Sequence, residues 1–113
     1  MFIVLHLYPV QQECQDQLLE INNKAAIIYK EYGALEDKTL KHNSKKGNIA
    51  ACMSMTVKES EVLYLGISQY KDKEHYDETI LKVNQDSRIH ILFEQFSKIV
   101  DVTRVINAEF EMV

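Results

Sequence analysis

The sequence predicts one small α+β domain of ferredoxin-like β-α-β-β-α-β order with an antiparallel sheet, spanning residues 1–113. Three observations carry that expectation. An apolar run starts at the second residue and is apolar on both faces, as a central strand is. Residues 11–32 then switch to a helical period. The same succession of strand and helix recurs from residue 62, and an alternating strand closes the chain.

Each element has its own signal. Phe2, Ile3, Val4, Leu5 and Leu7 make the first strand over residues 2–8, and Pro9, which has no N–H to donate, is expected to end it. Cys14, Leu18, Ile21, Ala25, Ile28 and Tyr32 recur every three or four residues and share one side of a helix. Gly33 stands where a C′ glycine would stop that helix. Residues 34–42 mix Leu35, Thr39 and Leu40 with charges, which suits a partly exposed strand near an edge. Asn43 to Asn48 reads as a loop, and residues 49–57 fit either a hairpin arm or a short helical turn.

The third strand covers 62–70, with Leu63, Leu65 and Ile67 on one face and Val62, Tyr64, Gly66, Ser68 and Tyr70 on the other. Asp72 can cap a helix carrying Tyr76, Ile80 and Val83, and Asp86 or Ser87 can cap another carrying Ile89, Leu92, Phe93 and Phe96. Residues 102–112 alternate as a last strand. Helices are expected on one sheet face. The other is expected to keep Phe2 or Ile3, Val4 or Leu5, Val62 and Tyr64, and so to need a cover.

Composition narrows the function. A net charge of −4 argues against nucleic acid as a partner, since only Lys38, Lys41, Lys45 and Lys46 gather locally. No apolar run approaches the ~20 residues of a membrane span, and the first residues lack the basic start of a signal peptide. Cys14 and Cys52 form no metal or redox spacing and read as free thiols of a reducing, cytoplasmic compartment. No cofactor or metal is expected: there is no nucleotide or phosphate loop, no nucleophile elbow and no haem-attachment motif, and His42, His75 and His90 are scattered.

The candidate pocket residues are His6, Tyr64 and Ser68. His6 on a central strand has a pKa suited to acid/base work, or is a core histidine held by hydrogen bonds. Tyr64 could orient a carbonyl or phenol, or pack at an interface. Gly66 between Tyr64 and Ser68 removes a side chain, leaving room for a ligand or for close packing. Glu109 and Glu111 share a strand face, Arg88 next to Asp86 suits an anion site or a local ion pair, and Met53 and Met55 suit packing beside Cys52.

Ala25-Ala26-Ile27-Ile28-Tyr29-Lys30-Glu31-Tyr32-Gly33-Ala34-Leu35 resembles the helix end of the small YbaA-like bacterial domains of unknown function. Glu61-Val62-Leu63 with Tyr70, Asn84 to Ile89, and Val102 to Met112 resemble that group's later segments, so the resemblance spans the chain. Ser87 stands where the group usually has Pro, and Leu5-His6 where it usually has Asp-Gly. The resemblance implies a dimeric α/β barrel, two sheets closed face to face, in a superfamily that includes antibiotic-biosynthesis monooxygenases. Two functions follow as expectations. One is a cytoplasmic homodimer binding a small apolar or aromatic molecule between sheet and helices, with cofactor-independent monooxygenase-like or isomerase-like chemistry. The other is a non-catalytic dimeric structural or interaction protein.

Overall fold

A computed structural model describes residues 1–43 and 57–113. Strand β1 (Phe2–Gln11) leads through a 3-10 turn (Gln12–Cys14) into helix α1 (Gln15–Glu31). Strands β2 (Glu36–Lys41) and β3 (Glu61–Tyr70) follow, then helices α2 (Lys73–Val83) and α3 (Ser87–Ile99). A second 3-10 turn (Val102–Arg104) precedes strand β4 (Ile106–Glu111). The four strands pair antiparallel in the order β2-β3-β1-β4, the ferredoxin-like arrangement, with β2 at an edge as its charges suggest. Segment 49–57 and the loop before it fall almost wholly outside the described residues.

Register decides which side chains meet the helices. Phe2 and Val4 pack with Tyr70, Tyr29 and Tyr76, while Tyr8, Val10 and Tyr64 pack with Leu18 and Val100. Val62 joins the second group. Val62 and Tyr64 therefore cover the helices' side of the sheet, not the open side where they were expected. The open side is built from the alternate residues: Leu5 opposite Ile67 and Ala108, Leu7 opposite Leu65 and Ile106, and Ile3 opposite Phe110.

Two boundaries also differ from expectation. Pro9 does not end β1, which runs to Gln11. β4 pairs with β1 only as far as Leu7, so beyond it β1 has a neighbour on one side alone and a residue without an N–H is tolerated. The last strand starts at Ile106 rather than 102, because Asp101 accepts hydrogen bonds from the Thr103 N–H at 3.0 Å and hydroxyl at 2.6 Å and turns the chain.

The helix ends follow local chemistry. Asp72 Oδ1 accepts from the His75 N–H at 2.8 Å and starts α2, and Asp86 Oδ1 accepts from the Arg88 N–H at 2.8 Å and starts α3. The Arg88 guanidinium also holds Asp86 and Glu31, each at 2.8 Å, and the Tyr32 hydroxyl donates to Asp86 at 2.8 Å, tying α1 to α3. These donors keep the Asp86 carboxyl well below the usual range. At the end of α1, Gly33 N–H donates to the Lys30 carbonyl and Ala34 N–H to the Tyr29 carbonyl, the paired bonds of a Schellman ending.

Gly33 has φ +125, and a Cβ there would stand 3.0 Å from His75 Nε2 and 3.2 Å from Thr79 Oγ1. Both the backbone and the neighbouring helix thus forbid a side chain. Gly33→Ala should lower unfolding stability by about 2 kcal/mol, read as a fall in the urea midpoint. An unchanged midpoint would contradict this account.

Candidate functional site

The helix-covered face of the sheet is laid out in rows. One row runs straight across all four strands: Thr39 on β2, Gly66 on β3, His6 on β1 and Asn107 on β4. The next row holds Asp37, Ser68, Val4 and Glu109. Gly66 leaves a gap in the middle of the first row. Its backbone does not require glycine, since its φ is not positive and a Cβ would come no closer than 3.8 Å to His6 Cβ. The missing side chain therefore leaves space rather than avoiding a clash.

A cleft of about 440 Å³ opens above that gap, within the size range of small-molecule sites. His6, Gly66, Thr39 and Asn107 contribute to its sheet wall. Ile21, Asn22 and Ala25 of α1, Tyr76 and Ile80 of α2, and Leu92, Phe93 and Phe96 of α3 supply the opposite wall. Val102 and Val105 close one end. The lining is mostly apolar and aromatic, with a few polar groups.

Those polar groups fall into two sets. In the first, His6 Nδ1 is hydrogen-bonded to Asn107 Oδ1. An amide oxygen only accepts, so Nδ1 is the donor in this bond, and no hydrogen bond of Nε2 is made among the described residues. In the second set, Asn22 Nδ2 donates to the Tyr8 hydroxyl at 2.9 Å and to Thr39 Oγ1 at 3.0 Å, bridging α1 to β1 and β2. Asp37 lies beside them and lines the cleft, but its carboxyl has no hydrogen-bond partner among the described residues. Burial pushes its pKa up to about 6; Lys30 opposes that shift and Glu36 adds to it. Tyr29 is pushed up to about 12 by burial and then by the Asp37 charge. The Tyr70 phenol is raised by burial too, and its hydroxyl, buried beside Ser68, has no hydrogen bond of good geometry among the described residues.

Of the residues singled out from sequence, His6, Gly66 and Ser68 line the cleft. Tyr64 does not. Its hydroxyl donates to Gln15 Oε1 at 2.7 Å, further along the core. Arg88 is engaged by Asp86 and Glu31. His75 Nδ1 accepts from the Lys71 N–H at 3.0 Å, and His90 Nε2 donates to the Asn84 carbonyl at 2.6 Å. Glu109 stands 4.0 Å from Lys73, on the helices' side. Cys14 is a half-buried free thiol packed at the core edge, while Cys52, Met53 and Met55 lie outside the described residues. Among the described residues no three His, Cys, Asp or Glu side chains gather as metal ligands. Among those residues, too, no helix is long and apolar enough to cross a membrane.

Asn107, Asn22, Asp37 and Thr39 were not singled out from sequence. The one available signal was alternation: Asp37 and Thr39 share a face of β2, and Asn107 shares a face with Glu109.

Comparison with known proteins bears on fold and family. Residues 1–98 match the family described as "Protein of unknown function (DUF1428)". No curated protein sequence matches the chain. Among solved structures, protein At3g17210 from Arabidopsis thaliana is similar at TM-score 0.69 and 12% identity, covering 100% of this chain and 96% of that one. A structure described as an antibiotic biosynthesis monooxygenase is similar at TM-score 0.65 and 10% identity, covering 100% and 99%. An uncharacterized NIPSNAP domain protein from Burkholderia xenovorans is similar at TM-score 0.65 and 11% identity, covering 100% and 95%. At these identities the likeness is one of fold.

The raised pKa of Asp37 has a consequence for stability. The folded protein holds that proton more tightly than the unfolded chain, whose carboxyl sits near 3.8. The resulting stabilisation is fully present below about pH 4 and is lost as pH rises through about 6. Asp37→Asn removes the loss. The variant should be roughly 2–3 kcal/mol more stable than the wild type at about pH 8, with no such gain near pH 3.5. Urea unfolding at both pH values checks this; an equal difference at the two would contradict it.

Proposed function

The chain belongs to the DUF1428 family, and we propose that it binds a small apolar or aromatic molecule in the cleft between sheet and helices. The observation that carries the reading is the gap at Gly66, flanked by a histidine whose first nitrogen is held by Asn107 and whose second makes no hydrogen bond among the described residues. In this reading His6 Nε2 takes a proton from an acidic C–H or O–H of the ligand, and Asn107 accepts from Nδ1 and steadies the imidazolium that forms. Such a step is isomerase-like by itself. With dioxygen as co-substrate the deprotonated ligand would be set up for cofactor-independent, monooxygenase-like oxidation. The fold likeness to an antibiotic biosynthesis monooxygenase is an analogy in support, not an assignment.

The same proposal takes residues 1–113 as one cytoplasmic domain, of the YbaA-like kind, working as a homodimer. Support for the dimer is the open face of the sheet, where Leu5, Leu65, Ile67 and Ile106 are half-buried and Phe110 is exposed, with no helix of the described residues over them. Apolar area of that kind favours a cover, and a second copy of the face is complementary to it. A non-catalytic dimer is the second reading, favoured by the same face.

Two measurements bear on this. Gly66→Val suits a strand and its Cβ meets only ordinary van der Waals contacts, so it should fold with an unchanged or slightly raised melting temperature. A metabolite that raises the wild-type melting temperature by several degrees should leave Gly66→Val unmoved. A metabolite that stabilises both equally binds elsewhere. Light scattering at micromolar concentration should give roughly twice the 13.2 kDa chain mass, and Ile67→Lys should halve it. A wild-type monomer would remove the dimer from both readings.

A further inference from the structure

The cleft has two chemically different ends, and the one around Asp37 is not needed by a His6 base. We propose that this end receives the ammonium group of a protonated amine, so that the ligand of the cleft is an amine with an aromatic or apolar body. The inference rests on the reading of the cleft as a small-molecule site and names the ligand class for it.

The argument starts from what the Asp37 end offers. Apart from the Asn22 amide, whose nitrogen donates to Tyr8 and Thr39, its polar atoms are oxygens: the Asp37 carboxylate, the Thr39 and Ser68 hydroxyls, and the phenols of Tyr29 and Tyr70. The Asp37 carboxyl and the Tyr29 and Tyr70 hydroxyls have no hydrogen-bond partner among the described residues. Unspent acceptors around one carboxylate match an ammonium, which carries three donors and no acceptor. No lysine or arginine is among the described residues lining the cleft. An anionic ligand would face Asp37 with nothing to neutralise it, and a purely apolar one would leave the carboxylate unpaired.

Among the described residues, the charged groups acting on Asp37 do not fill this role. Lys30 of α1 acts on it electrostatically, yet its Nζ is paired with Glu36 at 3.4 Å, both side chains being largely exposed, and Lys30 does not line the cleft. Glu36 adds negative charge from the same strand. Tyr8, Tyr29 and Tyr70 sit close enough for the Asp37 charge to raise them, and a cation there would relieve all three. The surrounding aromatic rings add a surface on which a cation is welcome.

Three probes of one size and shape test the proposal: tyramine (cation), 4-ethylphenol (neutral) and 4-hydroxyphenylacetate (anion). Each is titrated into isotope-labelled wild-type and Asp37→Asn protein near pH 7.5, with amide shifts read at Gly66, Ser68 and Asp37 or its replacement. In the wild type tyramine should bind about tenfold tighter than 4-ethylphenol, with 4-hydroxyphenylacetate weakest. In Asp37→Asn the tyramine preference should vanish while 4-ethylphenol binding stays within about twofold. If 4-ethylphenol binds the wild type as well as tyramine does, or if tyramine keeps its preference in Asp37→Asn, the amine assignment falls and the cleft reading stands. If no probe moves the cleft amides, both fall.

Discussion

The pairing register of β1 with β3 is the constraint from which the site follows. It sets His6 opposite Gly66 on the helix-covered face, with Thr39 and Asn107 continuing the row on the two edge strands. A slip of one residue would turn every one of these side chains to the other face and bring Leu5 and Ile67 under the helices instead. Register is well specified here because the two faces differ in what they must contact. Phe2, Val4, Tyr8 and Val10 are all buried against helices, and the intervening residues carry the second apolar face.

The interior bears the mark of that row. Its buried residues form three separate clusters, around Leu18 and Tyr64, around Phe2 and Tyr70, and around Ile21 and Leu92. The cleft takes in residues from all three, so part of its wall is packed core. Polar ties add to the packing. Asn22 holds Tyr8 and Thr39 together, and the buried Glu61 is held by Arg104 at 2.7 Å beyond the far end of β1.

Much of the fold could be read from the sequence because its signals are local. The 3.6-residue period of α1, the aspartates ahead of α2 and α3, and Gly33 at the end of α1 each state their own structure. Pro9 misled, because its effect depends on whether a neighbouring strand is present on the N–H side, and that is a fact of topology. Val102 misled because it continues an alternating pattern that the Asp101 turn interrupts. On the site, His6, Gly66 and Ser68 were legible from β1 and β3, where apolar neighbours make a polar or missing side chain conspicuous. Asp37, Thr39 and Asn107 were not, because a polar residue on an edge strand looks like an ordinary solvated one. Tyr64 shares a face with Gly66, yet one step along the strand placed it beyond the cleft, beside Gln15.

Gly33 and Gly66 show two different reasons for a glycine. At position 33 the backbone and the neighbouring helix leave no other residue, so the fold itself maintains it. At position 66 neither does, and a single nucleotide change in the codon would put alanine there with only ordinary van der Waals contacts. Random drift toward larger side chains would gradually close an unused hollow at that point, since added burial favours the folded state. The hollow in this chain is thus a space that neither the backbone nor a close neighbour requires.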